Sequence, residues 1–253
     1  MRKGGDVRRG ASVNHSFSVV IPVHNEAEIL DEAVRDLLDR LDRWGGEYEV
    51  LLCENGSEDG TREMAVALQR VYPQVRVVSL AEADYGRAMR EGIREARKDI
   101  VVIFDIDYYR AEFLDVCENL LAKSDIVIAS KLLSGAEDRR GAFRRIISMG
   151  FSLFLRCVFG LRVGETHGIK GFRRDWAAKL VEQCQFTRDI FDTELVIRAE
   201  RAGFRICEVP TTVVERRPSR SRIAKRIPRT VADLLRLRWQ LAHEAPPKAP
   251  TRR

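Results

Sequence analysis

Short apolar runs alternate with segments that are apolar at every third or fourth position through the first half of the chain. The runs Phe17 to Val23, Tyr48 to Cys53, Val75 to Leu80, Ile100 to Phe104 and Ile126 to Ala129 are rich in β-branched residues, as buried parallel strands are. Ala27 to Trp44 places Ile29, Leu30, Ala33, Val34, Leu37, Leu38 and Leu41 at helical spacing, and Gly45-Gly46 stops it. Thr61 to Val71, Tyr85 to Ala96 and Glu112 to Ala122 read as further helices. This alternation predicts right-handed βαβ units, and so an α/β fold with a mostly parallel central sheet and helices on both faces.

After residue 130 the pattern changes. A basic loop, Lys131 to Arg145, leads into an apolar amphipathic segment that ends at Phe159. Gly164 to Phe172 reads as a short hairpin. Asp175 to Cys184 and Asp192 to Ala202 read as helices, and Arg205 to Val214 as a late strand. Val231 to His243 is a basic amphipathic helix, and Pro228 argues against its extension toward Arg222. The expected organisation is a basic flexible start (1–15), one α/β domain (16–217), a basic amphipathic extension (218–243) and a disordered tail (244–253).

The 253 residues carry a formal charge of +6, which favours anionic partners without choosing among them. No recognised DNA- or RNA-binding motif accompanies the charge, so nucleic acid is not an expected partner. The five cysteines include no Cys-x-x-Cys, which fits free thiols in a reducing compartment better than a disulfide or zinc framework. Met1 to Ser16 lacks an apolar core, so no secretory signal is expected, and no apolar run is long enough to span a bilayer. The expected location is cytoplasmic, with peripheral membrane contact through Phe143 to Phe159 or the basic segment Arg222 to Trp239. Core packing is the competing use of the first segment, and a partner helix that of the second.

Ile100 to Phe104 ends in Asp105-Ile-Asp107. A buried strand has no internal use for two carboxylates, but the carboxyl edge of a parallel sheet is where α/β folds bind ligands. Two hard oxygen donors there suit Mg²⁺ or Mn²⁺, and through it a diphosphate. Asp-x-Asp also occurs in ordinary solvated turns. Three more strands end in polar loops at the same edge: His24-Asn25-Glu26, Glu54-Asn55-Gly56-Ser57-Glu58-Asp59-Gly60-Thr61 and Asp84-Tyr85-Gly86-Arg87. Four such loops on one edge make a nucleotide site, although each alone also serves as a turn with a good helix cap.

Together these residues resemble the family 2 glycosyltransferases, which have the GT-A fold. Val19-Val-Ile-Pro-Val-His-Asn25-Glu26 is similar to their Val-Ile-Pro-x-x-Asn-Glu start, and Glu54 to Thr61 to their Asp-Asp-x-Ser-x-Asp-Gly-Thr turn. Glu165-Thr-His-Gly-Ile-Lys170-Gly-Phe, Phe191-Asp192-Thr-Glu194-Leu and Ile206-Cys-Glu-Val-Pro210 resemble segments of dolichyl- and polyprenyl-phosphate sugar synthases. Arg216 to Arg222 is placed like their last basic motif. The resemblance covers roughly residues 16 to 223.

The resemblance implies a nucleotide-sugar donor held by Pro22, Asn25, Glu26, Glu54, Asn55, Asp84, Arg87 and Asp105. It implies a divalent metal on Asp105 and Asp107, and a lipid-phosphate acceptor held by Lys131, Arg144, Lys170 and Arg217. Asp107, Asp192 and Glu194 are the candidate catalytic groups. With a phosphate acceptor no protein base is needed, because the second phosphate pKa is about 6. With a saccharide or other hydroxyl acceptor a base is required, Asp192 first and Glu194 next. The chain departs from the family pattern at His24 (usually Tyr), at Glu54-Asn55 (Asp-Asp), at Asp84-Tyr85-Gly86 (Gly-Lys-Gly, so a phosphate-binding Lys is missing), and at Tyr109, beside the metal pair, where Gln is frequent. Sugar, nucleotide and oligomeric state stay open at this point.

Overall fold

A computed structural model of the chain describes residues 15–138, 142–188, 190–213 and 223–244. The strand–helix alternation is realised as β1 (Phe17–Val23), α1 (Leu30–Trp44), β2 (Tyr48–Asn55), α2 (Thr61–Val71), β3 (Val75–Leu80), α3 (Tyr85–Glu95), β4 (Ile100–Ile103), α4 (Glu112–Leu120) and β5 (Ile126–Ser130). The second half adds β6 (Glu137–Asp138), α5 (Ala142–Phe159), β7 (Lys170–Arg173), α6 (Arg174–Val181), α7 (Phe191–Arg201), β8 (Ile206–Pro210), β9 (Thr212–Val213) and α8 (Ile223–His243). Seven strands form one sheet in the order β3-β2-β1-β4-β7-β5-β8, parallel except for β7.

The period-2 alternation of the strands sorts their apolar side chains between two cores. Val19, Ile21, Val50, Leu52 and Val102 pack with α1, α2 and α4. Val20, Leu51, Cys53, Val101 and Ile103 pack with α3, α6, α7 and α8. All four polar loops of the first half therefore lie at one sheet edge.

Two local expectations are corrected. Gly164 to Phe172 is not a hairpin. A loop delivers a single strand, β7, antiparallel between β4 and β5. This reversal sets Lys170 beside Ile103, next to the aspartate turn. It needs a glycine at 171, where a Cβ would stand 2.3 Å from Cys117 Sγ on α4. Pro228 does not end the last helix, since α8 runs through it from Ile223. The proline is the sixth residue of α8, just past the positions whose N–H groups have no intrahelical partner, so it removes one backbone bond near the start of the helix. Leu234, Leu237 and Leu241 of α8 are buried in the core.

Candidate functional site

Loops β1–α1 and β2–α2 brace each other at the sheet edge. Asn25 adopts a left-handed backbone (φ 54°), which Asn tolerates better than most residues. Its N–H donates to Ser57 Oγ (3.1 Å) and its Oδ1 accepts from Glu58 N (2.9 Å). Glu26 N donates to Thr61 Oγ1 (2.8 Å), so Thr61 ties two loops together and Gly60 takes the cap position of α2. His24 Nδ1 lies 2.7 Å from Asn55 O. Asn55 Oδ1 in turn accepts from Asp84 N (2.5 Å), which joins the third loop.

The aspartate pair is set by a tight turn. Asp105 N donates to Tyr108 O (3.2 Å) and Tyr108 N to Asp105 O (3.0 Å), while the Tyr108 hydroxyl bonds to Thr211 Oγ1 (2.5 Å). Burial, then the charges of Asp107 and Asp192, push the Asp105 carboxyl up to about 7. The charges of Lys170 and Lys131 oppose this rise without cancelling it. Among the described residues no three His, Cys, Asp or Glu side chains could hold a metal by themselves. Two carboxylates nevertheless fit Mg²⁺, which usually takes one or two and completes its shell with waters and substrate phosphates.

Asp105 opens on a cavity of about 1160 Å³. Asn55, Asp84, Lys131 and Asp192, all anticipated, line it as well. Pro22, Asn25, Glu26, Glu54, Asp107, Arg144 and Lys170 are not among its lining residues. Glu54 is fully buried, its Oε1 accepting from Ser57 N (2.6 Å) and its Oε2 standing 4.0 Å from Arg62 Nε. Arg87 is exposed and also lies outside the lining. Asp84 caps α3 by accepting from Arg87 N (3.0 Å), and its Oδ2 accepts from the Thr187 hydroxyl (2.7 Å). Arg217 lies outside the described residues.

Three charged candidates are committed to buried partners. Lys131 Nζ pairs with Glu165 (2.6 Å), whose carboxyl stays below its usual range: burial opposes this, and the Lys131 charge and the bonds from Lys131 and His167 N together outweigh it. Lys170 Nζ donates to Asp192 Oδ1 (2.6 Å) and to Gly168 O (2.9 Å). Glu194 is fully buried, pairs with Arg198 (2.7 Å) and accepts from Gln185 N and Phe186 N. It is not among the residues that line the cavity. Tyr109 turns away from the aspartate pair, its hydroxyl donating to Asp36 on α1 (2.7 Å).

Three features of the site go beyond the sequence reading. Tyr85 Oη donates to Asp192 Oδ2 (2.9 Å). Arg188 and Arg226 line the cavity. Ile147, Phe151 and Phe154 of α5 face Ile227, Val231 and Leu234 of α8 across its apolar part. Only the amphipathic patterning of both helices hinted at this wall.

The family model for glycosyl transferase family 2 matches residues 18–181. The chain is 28% identical over 236 residues to glycosyltransferase AglD of Haloferax volcanii, covering 88% of this chain and 37% of that protein. It is 29% identical over 213 residues to an undecaprenyl-phosphate mannosyltransferase of Micrococcus luteus, covering 81% and 86%. Among solved structures it resembles glucosyl-3-phosphoglycerate synthase of Mycobacterium tuberculosis in complex with Mn²⁺, UDP and glucosyl-3-phosphoglycerate. That match has a TM-score of 0.65 at 21% identity and covers 88% of this chain and 80% of that one. The fold is the GT-A arrangement expected from the loop motifs.

Proposed function

The chain belongs to glycosyl transferase family 2, and we propose from that premise that it moves a hexose from a nucleotide-sugar donor to a polyprenyl phosphate, with inversion at the anomeric carbon. The observation that carries this reading is the lining of the cavity. Its lining combines Asp105, Asp192, Lys131, Arg188 and Arg226 with apolar side chains of α5 and α8. An acceptor with an anionic head and a hydrocarbon tail matches that combination better than a saccharide does. The Micrococcus relative, whose name is that of an undecaprenyl-phosphate enzyme, supports the same acceptor class.

In this reading Asp105 and Asp107 hold Mg²⁺ or Mn²⁺, which when bound neutralises the departing diphosphate. Asn55 and the braced loops around Asn25 and Glu54 shape the nucleotide end. Arg188 and Arg226 hold the acceptor phosphate, a task suited to the guanidinium fork. The ionised phosphate oxygen attacks the anomeric carbon and the nucleoside diphosphate leaves, with no proton for the protein to remove.

The acceptor is met at a membrane. Apart from Val71, the large apolar side chains that are exposed among the described residues all lie on α5 (Phe143, Ile146, Met149, Leu153) or α8 (Ile227, Leu235, Trp239). Arginines accompany them on both helices, a combination that suits an anionic leaflet, here the cytoplasmic one. No described helix is long and apolar enough to cross a membrane. The test is transfer from labelled nucleotide sugars with Mn²⁺ to a mixture of extracted lipid and water-soluble acceptors. Label in the organic phase is expected, and label confined to aqueous products would reject the proposal.

A further inference from the structure

Asp192 faces the same cavity as Asp105, from the first turn of α7. A free carboxylate there would draw a proton from water or from a hydroxyl beside the donor sugar. Each of its oxygens already accepts a bond from a side-chain donor. Lys170 Nζ donates to Oδ1 at 2.6 Å, and Tyr85 Oη donates to Oδ2 at 2.9 Å. Burial alone would raise the Asp192 pKa, yet the Lys170 charge and these bonds hold it below the usual aspartate range. Burial and the nearby Asp192 charge push the Tyr85 hydroxyl well above its ordinary value, so it remains a donor.

Tyr85 is held on both sides. Asp84 accepts from the Thr187 hydroxyl (2.7 Å), and Gly86 N donates to Thr187 O. A Cβ at residue 86 would stand 2.4 Å from Thr187 O, so glycine is what permits this approach. The loop before α3 is thus fastened to the segment before α7, and the tyrosine between the two anchors is aimed at Asp192.

We infer that Tyr85 is a positioning residue that protects the donor from water, occupying the cavity-facing base so that transfer is reserved for an acceptor that arrives already ionised. This rests on the polyprenyl-phosphate reading above. The suppressed side reaction is donor hydrolysis. A water oxygen bonds to the anomeric carbon, its proton passes to Asp192, the bond to the diphosphate breaks with its electron pair, and nucleoside diphosphate leaves.

The test compares the wild-type chain with Tyr85→Phe, which keeps the ring, and with Tyr85→Phe/Asp192→Asn. Each is incubated with GDP-mannose or UDP-glucose and Mn²⁺ without lipid, and nucleoside diphosphate release is followed. Tyr85→Phe is expected to raise hydrolysis about tenfold, less than the roughly 10²–10⁴-fold of a fully freed general base because Lys170 still holds Asp192, and the double variant to return it to the wild-type rate. Thr187→Ala, which loosens the tether without touching Asp192, is expected to raise it as well and replaces Tyr85→Phe should that protein not fold. Hydrolysis that does not rise, or a rise that survives Asp192→Asn, would overturn the inference. A parallel arm with polyprenyl phosphate separates the two readings. Absence of lipid product from the wild-type chain contradicts the acceptor assignment, whereas the hydrolysis comparison needs no lipid.

Discussion

Lys170 Nζ lies 2.6 Å from Asp192 Oδ1, with the lysine only 1% and the aspartate 7% exposed. Removing one partner of such a pair leaves a buried charge uncompensated, at a cost of about 3–5 kcal/mol. Lys170→Met is therefore expected to lower unfolding free energy by that amount in urea titrations. Adding Asp192→Asn should recover part of the loss. A single variant as stable as wild type would show that the pair is not buried as described.

With a metal on Asp105, as proposed, binding depends on pH. Its folded pKa is raised to about 7 by burial and by Asp107 and Asp192, so below that value it holds a proton that a cation must displace. The charged form is the one the metal-free fold disfavours. This carboxyl's destabilising effect thus grows as pH rises from about 3.9, the unfolded value, toward 7, and a bound cation relieves it. The Mn²⁺-induced rise in melting temperature is expected to be larger at pH 8 than at pH 6, and to shrink in Asp105→Asn. Equal shifts at both pH values would take Asp105 out of the metal site.

Glu194 braces the fold. Bonded to Arg198 and to the backbone before α7, it should cost about 3 kcal/mol of stability when changed to Gln, in the range for breaking a buried pair. Transfer per folded molecule is expected to stay within about threefold of wild type, since no proton transfer is assigned to it. Loss of activity without loss of stability would return it to the catalytic groups.

The exposed apolar faces of α5 and α8 give the membrane proposal a direct readout. Met149→Glu/Leu153→Glu and Trp239→Glu alter exposed positions, where stability changes are usually within about 0.5 kcal/mol. Each is expected to reduce cosedimentation with anionic phospholipid vesicles about tenfold, while the wild-type chain binds zwitterionic vesicles weakly. Equal binding by all variants would move the contact elsewhere.

The sequence made the parallel half of the sheet legible because its signals are local. Short β-branched apolar runs and period-3.6 patterns announce β1 to β5 and α1 to α4, and the polar ends of those strands must share an edge. Strand β7 was hidden because its place depends on two distant strands and on a glycine fitted against Cys117. Asp192 and Glu194 look equivalent in a string, yet two residues on a helix are about 200° apart. One therefore faces the cavity and the other the Arg198 pair. The Tyr85 contact with Asp192 joins residues 107 positions apart, which no local pattern encodes.

In the proposed reaction the acceptor brings its own ionised oxygen. The most direct test is kcat/KM for polyprenyl phosphate against polyprenol of the same chain length, with the same donor and Mn²⁺. A preference of about 10³-fold or more for the phosphate is expected, because the alcohol needs a base and Asp192 is held by Tyr85 and Lys170. Comparable turnover of polyprenol, or transfer to saccharide hydroxyls at the rate of the lipid phosphate, would contradict it.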